Sequence, residues 1–544
     1  MDEKETKVLV VGGGIGGITA ALEIASCGIN VTMVEESPSI GGRMIQLDKT
    51  FPTLDCSTCV LSPKMVEVAL NQKIDLLSWA KVMAVKKEGR GFTATILKRS
   101  RYVDLKKCTA CGVCSGGCPV VMKNEFNVGT GPRKAVYIPF PQAIPNKALI
   151  DKREERLCNM ACMDACPVNT NVPGYLKHIS EGRFADAYRL IRATNPFPSV
   201  CGRVCYAPCE RVCNRGEIDE PLAIRDLKRF AVDNFDIASL EVPQVQRTGR
   251  KVAVIGAGPA GLACANDLAL EGHDVTVYEA LPEPGGMLRY AIPEYRLPKE
   301  ELKGEIDYIR RLGVEILCGV DVGGEKTAAV IRDACDALFV ATGAPKGLPL
   351  GVEGETLEGI VDGIRFLRGV NRGEHVSPGD RVAVIGGGNT AVDCARTAKR
   401  LGSASVTVVY RRTREEMPAA GEEIDALLHE GIGIEFLAAP VRFRGDGGKV
   451  AEMECVRMEL GEPDESGRRR PVPKAGSEFT MPVDSVITAL GQAVETSFLE
   501  SLGVALGRGG TVTIDPATGA TNIEGVFAGG DVVTGPAYVI DAIA

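Results

Sequence analysis

Histidine is almost absent from this chain: four residues in 544, none at metal-ligand spacing from another. A metal centre built on paired imidazoles is therefore not expected. No uninterrupted apolar run of about 18 residues occurs, so no segment is expected to cross a membrane as a helix. Positive charge is in deficit: 63 Lys and Arg against 71 Asp and Glu give a formal net charge of −8. That balance argues against nucleic acid as a partner. A cleavable leader is not expected either. The stretch KVLVVGGGIGGITAALEIA is interrupted by five glycines, is preceded by acidic residues, and has no small-residue cleavage site after it. What remains has 45% hydrophobic and 25% charged residues, ordinary for a soluble globular chain. Its length leaves room for three or four domains of roughly 150 residues.

Cysteine, in contrast, is plentiful. Of nineteen, eleven fall between Cys108 and Cys213. They form three runs: Cys108, Cys111, Cys114 and Cys118; Cys158, Cys162 and Cys166; Cys201, Cys205, Cys209 and Cys213. A cubane iron–sulfur cluster needs four thiolates converging on one small volume, and short loops with a cysteine every third or fourth residue supply them. The first run, CTACGVCSGGCP, is the C-x2-C-x2-C-x3-C-P spacing of bacterial ferredoxins. Disulfides would require an oxidising compartment, and zinc would be satisfied by two C-x2-C pairs. Two of the three runs end in Cys-Pro, which favours clusters over a zinc ribbon. The expectation is two or three 4Fe-4S clusters in a reduced, cytoplasmic protein.

Glycine marks the rest. Lys7 to Val11 is an apolar strand leading into Gly12, Gly14 and Gly17, then a helix, then a second strand ending at Glu35. Lys251 to Ile255 leads in the same way into Gly256, Gly258 and Gly261, with Glu279 closing the second strand. In each copy the acid lies 23 residues after the first glycine. Such a turn lets a pyrophosphate approach a helix N-terminus, and the acid accepts hydrogen bonds from ribose hydroxyls. Six residues beyond each acid stands a further glycine pair, ending in Gly42 and Gly286. This arrangement resembles the FAD-binding domains of the pyridine-nucleotide disulfide oxidoreductase superfamily. The second copy also has that superfamily's later elements, Ala341-Thr342-Gly343 and Gly530-Asp531. A third fingerprint, Gly386, Gly388-Asn389 and Ala391, is nested between them, where the superfamily inserts its nicotinamide domain. Tyr410 stands where an acid would mark NAD, followed by Arg411, Arg412 and Arg414. Guanidinium groups replacing a carboxylate suit the 2′-phosphate of NADP; the plain alternative is a solvated basic loop.

From about Cys158 to its end the chain resembles the glutamate synthase small subunit, the amino-terminal half of dihydropyrimidine dehydrogenase and the large subunit of a bifurcating ferredoxin–NADP transhydrogenase. The carrying stretches are NPFPSVCGRVC, MLRYAIPEYRLP, YRRTREEMPA and GVFAGGDVVTGPA. From Lys7 to about Lys152 it is similar to the A-type polypeptide of heterodisulfide reductase, through GGRMIQLDKTFPTLDCSTCVLSPKM, CTACGVCSGGCPV and NEFNVGTGPRKAVYIPFPQAIPN. The fold class implied is α/β, with Rossmann-like FAD and NAD(P) domains plus ferredoxin-like and helical iron–sulfur domains. The expected bounds are 1–105 for a partial FAD-binding domain, 106–150 for a ferredoxin-type segment and 151–240 for the helical cluster domain. FAD binding follows at 250–345 and 490–544, with NAD(P) binding at 346–489.

The patterns depart from the families in places. Three cubanes call for roughly twelve ligands, and the runs supply eleven. By the resemblance, Cys158, Cys162 and Cys213 serve one cluster and Cys166, Cys205 and Cys209 another. The late carboxylate or amide ligand falls near Arg229, which cannot bind iron, and Cys201 is a candidate replacement. The first flavin fold lacks the ATG and GGD elements, so FAD there is open: another segment or another polypeptide completes it, or the fold is a scaffold. Cys56 and Cys59 offer a rival dithiol role, the bland readings being a structural pair or stray ligands. Cys27, Cys264, Cys318, Cys335, Cys394 and Cys455 read as buried small residues. The closing PAYVIDAIA reads as the first turns of a helix, which leaves open whether the chain is a fragment.

The function expected is an electron-transfer flavoprotein subunit. NADPH docks at 386–414, hydride passes to FAD held by 256–279 and 529–531, and clusters carry single electrons to a partner in a hetero-oligomeric complex. The partner is ferredoxin, a heterodisulfide-reductase-like subunit or a synthase-like subunit, and two flavins would suit electron bifurcation. No acid–base residue is demanded. The alternatives are a glutamate synthase small subunit, a flavin-linked disulfide reductase and a cluster-bearing adaptor without catalysis.

Overall fold

The computed structural model describes residues 8–544 apart from 90, 119, 152–159, 324–329, 465–466, 496–497 and 500–501. Cys158 therefore lies outside the described residues. Contacts divide the chain into two units, Met1–Asn159 and Met160–Ala544.

The first unit opens with strand β1 (Val8–Val11), helix α1 (Ile15–Ser26) and strand β2 (Val31–Glu35), followed by α2 (Ser57–Leu70) and β3 (Ile74–Ser78). The strands form a parallel sheet in the order β1-β2-β3. Short apolar strands joined through a helix give this parallel βαβ pairing. Ile18, Ala21, Met33, Leu61, Met65 and Val68 fill the core beneath it. A hairpin, β4 (Ala80–Glu88) with β5 (Gly91–Lys98), leads into the first cysteine run.

The second unit begins with a helical domain. Its main helices are α3 (Val172–Ser180), α4 (Phe184–Arg192), α5 (Pro198–Val204) and α6 (Ile224–Asp233). Asn171 caps α3 by accepting from the Gly174 N–H at 3.0 Å. Tyr175, Tyr188 and Phe197 are fully buried, each contributing about 1.5–3 kcal/mol of burial.

Two parallel sheets follow, one nested in the other. The outer comprises β6 (Lys251–Ile255), β7 (Asp274–Glu279), β8 (Glu315–Cys318), β9 (Ala337–Val340) and, far along the chain, β15 (Val526–Ala528). Its order is β8-β7-β6-β9-β15. The inner comprises β10 (Ile360–Asp362), β11 (Arg381–Ile385), β12 (Ser405–Tyr410), β13 (Gly433–Phe436) and β14 (Ser485–Thr488). Its order is β10-β14-β11-β12-β13. The helices that matter for binding are α7 (Pro259–Leu270), α8 (Lys299–Arg311) and α9 (Asn389–Arg400). In both sheets the glycine turn leaves a central strand at its carboxyl end. That is where open α/β sheets bind ligands.

Candidate functional site

The outer sheet builds the more complete dinucleotide cradle. Gly256 follows β6 with φ +101°, and a Cβ there would sit 2.4 Å from the Ala341 carbonyl oxygen. The turn thus packs directly on the ATG strand. A Cβ on Gly261 would lie 2.0 Å from the Gly256 oxygen, and one on Gly286 would lie 2.8 Å from the Gly258 Cα. Gly258 differs: a Cβ there meets no protein atom within 4 Å, because it faces open space at the N-cap of α7. Glu279, 7% exposed, ties the turn together. Its Oε2 accepts from the Ala257 N–H at 2.8 Å and its Oε1 from the Leu281 N–H at 2.9 Å. The second lone pair of each oxygen is what remains for ribose hydroxyls.

Gly256, Gly258, Glu279 and Gly286 line a cavity of about 320 Å³ with Thr342, Gly343 and Asp531. The Thr342 hydroxyl is buried with no hydrogen-bond partner among the described residues, and such groups normally have one. Burial pushes the Asp531 carboxyl up to about 6, although its Oδ1 accepts from the Ala537 N–H at 3.2 Å. An open glycine cradle, an orphaned hydroxyl and a partly desolvated carboxyl in one cleft fit FAD.

The inner sheet repeats the turn with Gly386 (φ +140°), whose Cβ would lie 2.3 Å from the Ala489 oxygen, and with Gly388 as N-cap of α9. Asn389 accepts from the Ala420 N–H at 3.4 Å. Tyr410, 6% exposed, occupies the acid position; its hydroxyl donates to the Glu416 carbonyl at 2.7 Å, and its ring lies against Gly387. The arginines that follow behave differently from one another. Arg411 is exposed, and no hydrogen bond or ion pair holds it among the described residues. Arg412 is 4% exposed, paired with Asp464 and donating to the Arg469 carbonyl at 2.7 Å. Arg414 pairs with Asp425. Arg412, expected at the nucleotide phosphate, has its guanidinium engaged by Asp464 and the Arg469 carbonyl.

The same glycine geometry recurs in the first unit. Gly12 and Gly42 have φ of +102° and +55°, against +101° and +53° for Gly256 and Gly286. A Cβ on Gly17 would lie 1.9 Å from the Gly12 oxygen, and one on Gly14 first meets the Gly42 Cα at 4.0 Å. Glu35 accepts from the Gly13 N–H at 2.5 Å and from the Ser37 N–H at 2.7 Å. What differs is the other side. Among the described residues β1 pairs with β2 alone, whereas β6 lies between β7 and β9. Val11 is 64% exposed where its counterpart Ile255 is 4% exposed. A cavity of about 780 Å³ in this unit is lined by Ser37, Gly42, Arg43, Trp79, Arg99 and Tyr137, and its lining includes neither Gly12 nor Gly14.

The cysteines fall into neighbourhoods. Cys166, Cys201 and Cys205 share one buried apolar cluster, while Cys162 and Cys209 belong to another. Charge on Cys213 bears on Cys162, and charges on Cys166 and Cys205 bear on Cys209. Burial pushes Cys201 and Cys209 up to about 12. Among the described residues no three such donors converge at metal-binding distance. The donor chemistry, thiols grouped in apolar pockets, fits iron–sulfur clusters. In the first unit Cys111 and Cys114 are exposed and Cys108 and Cys118 half-buried. Backbone N–H groups lower the Cys108 and Cys111 thiols, as cluster loops do for thiolates.

Three further outcomes were not legible in advance. Arg229, near the expected late ligand, points outward to Asp233, and the neighbour that turns inward is Lys228. Arg296, from the tract after the flavin turn, reaches Asp393 on α9 at 2.7 Å and Glu423 at 3.1 Å, joining the two nucleotide domains. Burial pushes the Asp393 carboxyl up to about 6. Of the six solitary cysteines, Cys394 and Cys455 are buried, Cys264, Cys318 and Cys335 half-buried, and Cys27 exposed at the end of α1. Cys56 caps α2, accepting from the Cys59 N–H at 3.4 Å, and both thiols are exposed. The hydrogen bond between them lowers Cys56 and raises Cys59.

Comparison with known proteins matches residues 250–544 to the family described as pyridine nucleotide-disulphide oxidoreductase. Residues 151–239 match dihydropyrimidine dehydrogenase domain II, 4Fe-4S cluster, and residues 7–51 match FAD dependent oxidoreductase. The chain is 44% identical over 410 residues to the NADP(+)-dependent formate dehydrogenase subunit beta of Moorella thermoacetica, 70% of this chain and 58% of that one. It is 40% identical over 501 residues to the NADPH-Fe(3+) oxidoreductase subunit beta of Geobacter sulfurreducens, 85% of this chain and 72% of that one. It is 37% identical over 407 residues to the glutamate synthase [NADPH] small chain of Escherichia coli, 71% of this chain and 86% of that one.

Proposed function

Because the chain belongs to the pyridine nucleotide-disulphide oxidoreductase family, we propose that it is the NADPH-oxidising, FAD-dependent iron–sulfur subunit of a multi-subunit oxidoreductase. The observation that carries this is the nesting of two glycine cradles in one unit with a thiol-rich helical domain. Gly386, Gly388 and Asn389 receive the NADPH pyrophosphate, and Arg411 meets its 2′-phosphate. Gly256, Gly258 and Gly261 hold the flavin pyrophosphate, Glu279 the ribose, and Thr342 and Asp531 the portion nearer the ring. Bound FAD supplies the conversion between a hydride and single electrons, which is cofactor chemistry that a protein places and tunes. Cys166, Cys205 and Cys209 hold one cluster, and Cys158, Cys162 and Cys213 another. Cys108, Cys111, Cys114 and Cys118 hold a third.

The partner is an electron-accepting or substrate-oxidising subunit, as the names of the relatives support. The first unit is a heterodisulfide-reductase-like module, supported by the match of residues 7–51 to an FAD dependent oxidoreductase. Its β1 edge is completed from elsewhere before flavin binds. The location is cytoplasmic, consistent with clustered free thiols. Purified anaerobically, the chain should reduce an artificial dye with NADPH; absence of bound flavin would sink this reading.

A second reading of the first unit rests on one observation, the exposed Cys56–Cys59 pair at a helix N-terminus with a lowered leading thiol. Such pairs act in thiol–disulfide exchange. Cys56→Ser with Cys59→Ser should spare dye reduction if the pair is structural and abolish disulfide turnover if it is not.

A further inference from the structure

The helix α6 brings a positive charge into the thiol-rich core. Ile224, Lys228 and Ala231 recur at helical spacing on one face and are 1%, 6% and 0% exposed. Ile224 and Ala231 pack in the same apolar cluster as Cys162 and Cys209. Lys228 lies between them on that face. Its charge bears on Cys201, Cys205 and Cys209, opposing the rise that burial imposes on each thiol. Arg229, the next residue, takes the opposite face and pairs with Asp233 at 3.3 Å. Among the described residues no carboxylate lies within 4 Å of the Lys228 ammonium. A buried cation is costly unless an anion compensates it. Thiolates around an iron–sulfur cluster supply that anion, and the shell becomes more negative by one charge when the cluster takes up an electron.

We propose that Lys228 is the positioning residue that sets the potential of the cluster held by Cys166, Cys205 and Cys209, its ammonium favouring the reduced state. The inference rests on the cluster assignment above and adds the residue that tunes it. The balance is simple: one electron enters the cluster, no bond of the protein breaks, and the fixed charge offsets the added one. Nearby fixed charge and hydrogen bonds are the levers by which proteins move cluster potentials.

The test is an anaerobic potentiometric titration of the full chain followed by EPR, comparing wild type with Lys228→Met, Lys228→Arg and Arg229→Ala. In Lys228→Met one cluster should be harder to reduce, its reduced-to-oxidised ratio at fixed potential falling at least tenfold. For a one-electron couple that is a midpoint lower by about 59 mV. Lys228→Arg and Arg229→Ala should stay close to wild type. Should the Met variant lose iron, Lys228→Gln reads the same shift. Loss of iron from both neutral variants with retention by Lys228→Arg would also support a required positive charge. Equal midpoints in wild type and a neutral variant overturn the proposal. Wild-type protein without iron would instead overturn the cluster assignment itself.

Discussion

Arg411 and Arg412 are adjacent in sequence but separate in role. Arg411 is exposed beside the nicotinamide turn, while Arg412 is folded onto Asp464 and the Arg469 carbonyl. Arg411→Ala should therefore raise KM for NADPH at least tenfold while leaving NADH nearly unchanged, since a charge-assisted phosphate contact is worth about 1.5–3 kcal/mol. Steady-state kinetics with both nucleotides check this. Arg412→Ala should instead cost about 2 kcal/mol of stability with little change in nucleotide preference. The sequence shows three arginines in one loop, and charge pattern alone cannot rank them. Burial of Arg412 is decided by a carboxylate some fifty residues downstream. The inward turn of Lys228 in place of Arg229 was hidden for a similar reason, because a one-residue offset on a helix swings the side chain by about 100°.

At the scale of elements, strand–glycine–helix units were legible in full, because φ above zero and close backbone approach leave glycine little competition. Gly258→Val probes that directly. A Cβ there meets no protein atom within 4 Å, so the fold should survive while the pyrophosphate is displaced. Flavin content and NADPH–dye activity should fall together, whereas Gly14→Val should leave dye reduction largely intact. What the motif could not show was how short the first copy's sheet is: among the described residues β1 pairs on one side alone, with β2, and Val11 is exposed. Helix packing also places Glu305 of α8 against the first turn of α5, accepting from the Ser199 and Val200 N–H groups. Burial pushes its carboxyl up to about 8 from 4.5. Between those values the folded chain holds a proton that the unfolded chain has released, so stability falls as pH rises through that window. The thermal midpoint should decline from about pH 5 to about pH 8, and Glu305→Gln should flatten that decline.

For the whole molecule, the interleaving of the two nucleotide-binding sheets followed from motif order alone: ATG before the inner fingerprint, GGD after it. The cysteine neighbourhoods came out less completely. Spacing grouped the runs, but not which thiols share a pocket, because thiols from different runs meet there: Cys166 with Cys201 and Cys205, and Cys162 with Cys209. Iron analysis of anaerobically purified protein should give roughly 8–12 atoms per chain, on the order of four per cluster. Stoichiometric zinc with little iron would leave the thiol-rich domain a zinc module. The central claim is that electrons from NADPH reach protein-bound clusters, and EPR after anaerobic addition of NADPH tests it most directly. The signal of a reduced 4Fe-4S cluster should appear, with NADPH effective and NADH much less so. A cluster signal that appears with dithionite but not with NADPH would contradict it.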